Sequence, residues 1–223
     1  MAVDIDLIIP MHNGGATIGA ALASLRAQTH RRWRALVIDD GSTDDGPAIV
    51  ELVAGADRRV RLVRQARAGV AAARNRGLEL ADATLAMFLD ADDWLLPDAL
   101  RRLAETASDG AAAFGGFEFR DAGGRWLADE RPGQAEIGLR ELFGQVFLLV
   151  HAQALPRRAI GDERFDASLP VVEDTDLWLR LARRGLRWRN TGALLGAYRI
   201  RPGARSTDFE GMLACSRRVY DRA

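Results

Sequence analysis

The sequence is poor in the residues that build disulfide and zinc scaffolds. Its 223 residues include one cysteine, Cys215, and three histidines, and they include no lysine. A single cysteine excludes an intrachain disulfide and a cysteine-based zinc site, and the three histidines have no metal-ligand spacing. Every basic side chain other than histidine is therefore an arginine.

An excess of charge of one sign is also lacking. Lys+Arg and Asp+Glu both number 31, so the formal net charge is zero. Nucleic-acid-binding proteins are typically basic, so this balance predicts no nucleic-acid partner. The hydrophobic share of 48% and the charged share of 28% are typical of globular proteins and exclude the disordered and fibrous classes.

Long hydrophobic runs are absent as well. The longest strongly apolar run, residues 146–150, is far shorter than the ~20 residues that span a bilayer. Residues 1–6 contain two acids and no basic segment, so we expect no signal peptide. We therefore expect a cytoplasmic protein without a transmembrane segment, and peripheral association with the inner face of the membrane stays open.

Strand and helix signals alternate along the first half of the chain. The predicted strands cover 5–9, 33–38, 60–63 and 84–89, and the predicted helices cover 18–27, 47–54, 70–80 and a segment from Pro97. Such alternation favours right-handed βαβ crossovers, which predicts an α/β fold with a mostly parallel sheet. In these sheets ligands bind beyond the carboxyl ends of the strands.

The second half of the chain is less regular. Its predicted elements are a strand at 112–119, a hairpin turn at 121–124, a helix at 173–184, a strand pair within 186–200 and a terminal helix at 206–222. Neither a linker nor an internal repeat divides the chain. We therefore expect one domain over residues 1–223.

Three carboxylates occur within four residues directly after the fourth predicted strand. The three carboxylates of this acidic tetrad, Asp90-Ala91-Asp92-Asp93, repel one another unless a cation is near. Hard divalent ions such as Mg²⁺ or Mn²⁺ prefer oxygen ligands of this kind. A polar loop that caps the helix at Pro97 explains the same residues, and both interpretations stay open at this point.

Two further acidic clusters allow a functional or a structural interpretation. Residues 39–44 follow the second predicted strand, and their acids suit either a bound base or ribose, or the caps of the next helix. Residues 173–176 begin a predicted helix, where an acid suits either capping or general-base catalysis. We expect the helix N-terminus to lower the pKa of an acid placed there.

Arginines interrupt a run of small residues at positions 69–77. An arginine fork suits bidentate contact with a phosphate. A helix of small residues packed closely on the sheet, with its arginines in solvent, explains the same segment. The sequence does not decide between the two.

Each of these motifs is weak evidence by itself, but five of them occur here in order along the chain, which is strong evidence. They are Ile8 to Asn13, Val37 to Asp44, Ala73 to Gly77, Phe88 to Asp93, and Glu173-Asp174 before Leu177 to Arg180. The set resembles the family 2 glycosyltransferases of the GT-A fold, from residue 4 to about residue 200. The resemblance implies a GT-A fold, which is a Rossmann-like three-layer α/β/α arrangement around a mostly parallel mixed central sheet.

The resemblance also implies an activity. It points to transfer of a hexose-type sugar, with inversion, from a nucleotide-diphospho-sugar donor to an acceptor hydroxyl, in polysaccharide or glycan biosynthesis. The acceptor, whether a glycan, a lipid-linked molecule or a small molecule, stays unidentified. Residues 1–109 would form the nucleotide-binding half, 110–205 the acceptor-binding half and 206–223 a C-terminal helix.

Residue roles follow from the same resemblance. Asp92 would coordinate Mn²⁺ or Mg²⁺ at the diphosphate, and Asp90 would share the metal or hold the ribose. Asp174 would be the catalytic base that deprotonates the acceptor hydroxyl. The nucleotide-contacting residues that the resemblance implies are Pro10, Asn13, Asp40 and Arg74.

Two departures from the family pattern affect these expectations. Many members have a histidine where Arg201 stands, so Arg201 would contribute a cation at a phosphate and metal dependence becomes less certain. The processive members have a Gln-x-x-Arg-Trp motif well downstream of the base, whereas Arg184 to Trp188 lacks the glutamine and lies too close to Asp174. We therefore expect a non-processive enzyme.

Two other functions compete with this hypothesis. Gly14 to Gly19 loosely matches the phosphate loop of a dinucleotide-dependent oxidoreductase, although its middle glycine is replaced by Ala16. A sugar-nucleotide-binding homologue without catalysis would keep the donor residues and would not need Asp174.

Overall fold

A computed structural model describes residues 5–108, 110–143, 148–201 and 209–222, without the side chains of 209–211 and 222. The first residues of the predicted terminal helix and part of the apolar run at 146–150 lie outside this range. The strands are β1 Ile5–Met11, β2 Trp33–Asp40, β3 Val60–Gln65, β4 Leu85–Phe88, β5 Trp94–Leu95, β6 Ala111–Arg120, β7 Trp126–Glu130, β8 Glu136–Ile137, β9 Gln153–Pro156 and β10 Arg187–Arg199. The helices are α1 Gly15–Arg26, α2 Gly46–Ala56, α3 Val70–Leu80, α4 Ala99–Thr106, α5 Leu139–Leu142, α6 Arg157–Ile160, α7 Glu173–Arg183 and α8 Phe209–Arg222.

One mixed sheet runs through the molecule in the order β3-β2-β1-β4-β9-β6-β10-β5, with β7 beside β6 and β8 beside β10. The four strands of the first half are mutually parallel, and β10 pairs parallel with β6. Antiparallel β9 joins these two parallel groups. The arrangement confirms the predicted α/β fold with a mostly parallel, mixed central sheet.

The core forms two layers because successive side chains of a strand point to opposite faces of the sheet. Ile8, Leu36 and Phe88 contribute to one layer, against helices that include α3 and α7. Ile9 and Met87 contribute to the other, with helices α1 and α4. Helices therefore cover both faces of the sheet, which gives three layers.

One element of the second half differs from its prediction. The strand pair expected within 186–200 is wrong, because the segment forms the single strand β10, whose register with β6 shifts between Asn190 and Gly196. Gly192 has a left-handed φ of 68°, and its N–H donates to Asn190 Oδ1 at 2.9 Å. The turn-like residues thus form a bulge and do not reverse the chain.

Helix α3 lies very close to the sheet. A Cβ added at Gly77 would lie 2.2 Å from Ile8 Cγ2, so only glycine permits this approach. The close contact packs α3 directly on β1, and the residues just before α3 are bonded to Asp40 at the carboxyl end of β2.

No helix within the described ranges is long and apolar enough to cross a bilayer.

Candidate active site

The predicted donor-site segments meet at one edge of the sheet. In the parallel register Met11 pairs with Asp39, and Ile8 pairs with Phe88. The loops after β1, β2 and β4 therefore begin side by side at the carboxyl edge, where ligands bind in open α/β sheets. These loops contain Asn13, Asp40 and the acidic tetrad. Pro10 lies within β1, opposite Ile38, and is buried.

Asn13 joins the loop after β1 to the loop after β2. Its Oδ1 accepts a hydrogen bond from Thr43 N at 2.8 Å, and its own N donates to Ser42 Oγ at 2.9 Å. Its φ of 51° is left-handed, a conformation that asparagine tolerates better than most residues. The structure thus shows Asn13 as a cross-link between the two loops.

Asp44 occupies the N-terminus of α1. Its Oδ2 accepts from Gly15 N at 2.7 Å, and its Oδ1 accepts from Gly46 N at 3.0 Å. A dinucleotide-binding enzyme needs this helix N-terminus for the pyrophosphate. Because a carboxylate of the chain already lies there, the geometry disfavours the oxidoreductase alternative.

Asp40 is only 3% exposed, and its carboxylate organises the loop that precedes α3. Oδ1 accepts from Gln65 Nε2 and Ala68 N, both at 2.8 Å, and Oδ2 accepts from Gly69 N at 2.8 Å. A carboxylate offers about four acceptor positions, so these three bonds leave roughly one for a ligand. Asp40 therefore shapes the wall of the predicted nucleotide pocket.

Two acids of the tetrad have cationic partners from the second half of the chain. Asp92 forms an ion pair with Arg201, whose side chain is 46% exposed. Asp93 is buried and lies 3.0 Å from the Nδ1 atom of His151. Burial raises the pKa of Asp92, and the charges of Asp93 and Asp90 raise it further, while Arg201 opposes the rise.

The carboxylate of Asp93 also anchors the end of β10. Its Oδ1 accepts from Arg199 N at 2.8 Å, and Arg199 Nε donates to the backbone oxygen of Asp92 at 3.0 Å. Burial acts to lower the pKa of His151, but the charge and hydrogen bond of Asp93, together with the charges of Asp90 and Asp92, outweigh burial and raise that pKa. The tetrad and the end of β10 are thereby held as one unit, with Arg201 just beyond it.

Arg74 connects the tetrad with the start of α7. It is 3% exposed, and its Nη2 donates to Asp90 Oδ1 at 2.8 Å while its Nη1 donates to Glu173 Oε1 at 2.7 Å. Burial acts to lower the pKa of this guanidinium. Three surrounding carboxylates outweigh burial and raise that pKa, so the guanidinium of Arg74 stays charged. These carboxylates belong to Asp90, Glu173 and Asp174.

Asp174, the predicted base, follows Glu173 in the first turn of α7. Its Oδ1 accepts from Thr175 N at 2.7 Å. Burial raises its pKa from 3.8 to about 6, and the charge of Glu173 adds to the rise, whereas Arg74 lowers it. The expectation that the helix N-terminus lowers this pKa is wrong, because burial and the neighbouring carboxylate outweigh the helix end. A carboxylate with this pKa suits general-base catalysis near neutral pH.

Backbone strain lies directly before the acid pair. Val172 has a left-handed φ of 59°, and a β-branched side chain is rare in that region. Such a residue costs on the order of 1–3 kcal/mol and is kept where the surrounding structure demands it. The strained residue lies next to Glu173, whose buried side chain faces Arg74.

Asp176, the third acid of the helix start, belongs to a different network. Its Oδ2 accepts from Arg180 Nε at 2.9 Å, one turn further along α7. It lines a cavity of about 320 Å³ with Arg164 and Arg180. Asp176 thus serves as an ion-pair partner within the helix.

The carboxylate oxygens of the tetrad can hold a divalent ion only together with a bound substrate that supplies further ligands. Across residues 5–108, 110–143, 148–201 and 209–222, no group of three or more His, Cys, Asp or Glu side chains is arranged to hold a metal. Mg²⁺ characteristically takes one or two carboxylates and completes its shell with water and substrate phosphates. Asp92 and Asp90 meet that requirement, provided that Arg201 yields its place on Asp92.

Sequence reasoning missed two contributors to this edge. His151 was assigned no role, because its partner Asp93 is distant in sequence and no ligand spacing links the two. Arg199 was likewise not singled out. A buried histidine needs a polar partner, but only the fold shows which acid supplies it. His151 lies against Gly196 of β10, and Gly196 pairs with β5, which begins directly after Asp93.

Comparisons with known proteins give a consistent result. The family model described as "Glycosyl transferase family 2" matches residues 6–165. EpsH of Bacillus subtilis, described as a glycosyltransferase, is 35% identical over 105 residues, which cover 47% of this chain and 30% of EpsH. The chain thus spans less than a third of the length of that relative.

Solved structures show the same fold. S. aureus TarS 1-349 in complex with UDP-GlcNAc has a TM-score of 0.71 at 20% identity, over 97% of this chain and 65% of that one. Mannosyltransferase PcManGT from Pyrobaculum calidifontis in complex with GDP-Man and Mn²⁺ has a TM-score of 0.73 at 15% identity, over 100% of this chain and 64% of that one. This likeness confirms the GT-A fold. Because the family model matches most of the residues of this protein, the chain belongs to glycosyl transferase family 2.

Proposed function

We propose that this protein is an inverting, non-processive glycosyltransferase that moves a hexose-type sugar from a nucleotide-diphospho-sugar to an acceptor hydroxyl. The observation that carries the proposal is the pairing, through Arg74, of the acid Asp90 with the helix start that holds Asp174. One group of acids lies at the carboxyl edge expected for the donor. A carboxylate with a pKa of about 6 lies at the other end of the same network.

The nucleotide would lie against the loops after β1, β2 and β3. Asp40 would use its remaining acceptor position for the base, while its other bonds hold residues 68 and 69 in place. Asn13 would support the same pocket through its contacts with the loop after β2. Pro10 and Asp90 complete the proposed donor-binding set, with Asp90 at the ribose or the metal.

The diphosphate would lie near Asp92. A Mn²⁺ or Mg²⁺ ion held by Asp92 and Asp90, when bound, would neutralise charge on the leaving diphosphate. Arg201 forms an ion pair with Asp92 and is about half exposed. Its guanidinium would therefore be available to a phosphate oxygen once the donor displaces it from the carboxylate.

Asp174 would act on the acceptor. It accepts the proton of the acceptor hydroxyl as the oxygen attacks the anomeric carbon from the face opposite the leaving diphosphate. One in-line displacement of this kind inverts the anomeric configuration. Since the reaction needs the ionised carboxylate, a pKa of about 6 leaves the base about nine-tenths ionised at pH 7 while keeping useful basicity.

The environment of Trp188 supports the non-processive part of the proposal. Trp188 is fully buried in β10, and its Nε1 donates to Gln153 Oε1 at 2.8 Å. Because Trp188 is a core residue, its side chain offers no open surface on which to hold a growing polymer. We further propose that residues 1–109 bind the donor and 110–205 the acceptor, and that the enzyme acts in the cytoplasm on a glycan, lipid-linked or small-molecule acceptor.

A binding panel tests the proposal. The protein is titrated calorimetrically with UDP, GDP, UDP-GlcNAc and GDP-mannose, with Mn²⁺ and with EDTA, and donor hydrolysis is followed in parallel. We expect one nucleoside diphosphate and its sugar derivative to bind in preference, with slow release of free sugar. Binding without any hydrolysis or transfer would favour the non-catalytic homologue, and no binding to any sugar nucleotide would contradict the proposal.

A further inference from the structure

The side chain of Arg74 is enclosed by protein. Its guanidinium is buried between two carboxylates that come from different parts of the chain, Asp90 after β4 and Glu173 at the start of α7. The side chain of Glu173 is 7% exposed, so one arm of this bridge is closed to solvent. Both terminal nitrogens of Arg74 therefore already have carboxylate partners.

An aromatic platform supports the guanidinium. Arg74 Cζ lies 5.3 Å from the centre of the Phe165 ring, which packs edge-on against Phe88 at 4.9 Å. Asn75, the residue after Arg74, holds the backbone of Phe165. Its Nδ2 donates to Phe165 O at 2.9 Å, and its Oδ1 accepts from Phe165 N at 2.8 Å.

The segment at 69–77 is thus built to hold Arg74 in place. Gly77 brings α3 against β1, Asn75 fixes Phe165, and Arg74 reaches both acids. Arg76, two residues along, is exposed and pairs with Glu79 at 2.7 Å on the outer surface of α3. The two arginines of one helix therefore have opposite environments.

We propose that Arg74 is a positioning residue that ties the donor-side loop after β4 to the base-bearing start of α7 without contacting either substrate. This inference rests on the proposed glycosyl transfer. The planar fork of arginine can serve two carboxylates in different directions, which a lysine ammonium on a flexible stem does much less well. We call the contacts of Arg74 with Asp90 and Glu173 the clamp. Without the clamp, Asp90 and the first turn of α7 lose the contact that fixes their relative position.

The clamp also sets the electrostatic environment of Asp174. The charged groups that face Asp174 are Glu173 on its own helix, Arg74 from α3 and Asp90 from the loop after β4. Arg74 lowers the pKa of Asp174, whereas both acids raise it. Removing the cation and removing Glu173 should therefore shift the ionisation of the base in opposite directions. A merely structural role would not give opposite signs.

The test uses three variants at the clamp and one control, with a thermal melt for each. Arg74→Gln should lower kcat at saturating donor by about 10- to 100-fold, the loss typical of a misplaced catalytic group. Its Kd for the nucleoside diphosphate should stay within about threefold, and its pH of half-maximal rate should rise. Glu173→Gln should lower that pH, and Arg74→Lys should restore the wild-type pH with only part of kcat. Arg76→Gln, the exposed control, should leave all three quantities unchanged.

Two results would overturn the inference. If Arg74→Gln weakens nucleoside diphosphate binding tenfold or more while kcat stays at the wild-type value, Arg74 contacts the nucleotide. If Arg74→Gln and Glu173→Gln shift the pH of half-maximal rate in the same direction, or not at all, the electrostatic part is wrong. If Arg74→Gln does not fold, Arg74→Lys tests the positioning part through its kcat, and Glu173→Gln tests the electrostatic part through its pH of half-maximal rate. A wild-type kcat in Arg74→Lys, or an unshifted pH in Glu173→Gln, would then overturn the inference.

Failure of the proposed function is distinguishable from failure of the clamp. A wild-type protein that binds no sugar nucleotide contradicts the function. The carboxyl ¹³C shift of Asp174, followed by NMR against pH, still reports whether the two substitutions move its ionisation in opposite directions. Unchanged titration in both variants would contradict the clamp, whatever the reaction is.

Discussion

Replacing Asp174 by asparagine distinguishes the catalytic role of this residue from its structural role. Asparagine keeps the size of the side chain, and its Oδ1 can still accept from Thr175 N, as the aspartate does at 2.7 Å. What the substitution removes is the ability to ionise and to take a proton. Asp174→Asn should therefore lower the transfer rate by about 10²–10⁴-fold, the usual contribution of a general base, with donor affinity nearly unchanged.

The same substitution should stabilise the protein at high pH. The native pKa of Asp174 is about 6 against an ordinary 3.8, a rise of about two units. The native state then binds the proton more tightly than the unfolded state, so the free energy of unfolding falls as pH rises from about 4 to about 6. Two units correspond to ~3 kcal/mol of stability that the wild type has lost at pH 8, and asparagine avoids this loss. For a domain of this size that is roughly 6–12 °C in Tm. At pH 4 the wild type has lost little, so the variant gains little there.

The assay compares wild type, Asp174→Asn and Asp176→Asn in transfer rate, donor affinity and thermal melts between pH 4 and pH 8. The wild-type rate should fall about tenfold per pH unit below pH ~6 and level off above it. Asp176→Asn is the matched control. It removes an acid of the same helix turn that pairs with Arg180, so it should lower stability and leave transfer intact.

Two outcomes would refute the reasoning. One is an Asp174→Asn protein that folds, binds donor and transfers at the wild-type rate, which would remove Asp174 from the mechanism. The other is an Asp174→Asn protein with no gain in stability at pH 8, which would mean that Asp174 carries no raised pKa.

The remaining predictions concern the donor end. Asp92→Asn should remove the Mn²⁺-dependent part of donor binding in calorimetry without unfolding the protein, because it relieves repulsion from Asp90 and Asp93; equal metal-dependent affinity in variant and wild type would exclude Asp92 as a metal ligand. Asp40→Ala should weaken nucleoside diphosphate binding by about 1–3 kcal/mol, since it removes the acceptor that organises residues 68 and 69. Unchanged affinity would confine Asp40 to the turn.

The parallel half of the fold could be predicted well because its signals are local. β1, β2 and β4 are apolar runs closed by polar residues, and helical periodicity fills the intervals between them. The carboxyl-edge rule then places Asn13, Asp40 and the tetrad together before any coordinates are known. That part of the site needs only strand order and direction.

The second half could not be predicted as well because its decisive contacts are distant in sequence. The residues at 190–192 have the composition of a turn, yet pairing with β6 keeps β10 continuous through a bulge. The burial of Arg74 depends on Glu173, 99 residues later, and on Phe165. The raised pKa of Asp174 depends on burial and on charges from three segments, so capping preferences alone gave the wrong direction.

The stereochemistry of donor hydrolysis tests the central claim most directly, because it needs no knowledge of the acceptor. The wild-type protein is incubated with the α-linked sugar nucleotide that it binds best, and the released sugar is observed by proton NMR before its anomers equilibrate. A single displacement at the carboxyl edge, with Asp174 as the base, predicts that the β-anomer appears first and that Asp174→Asn releases it far more slowly. First appearance of the α-anomer, or release at an equal rate by the variant, would contradict the account.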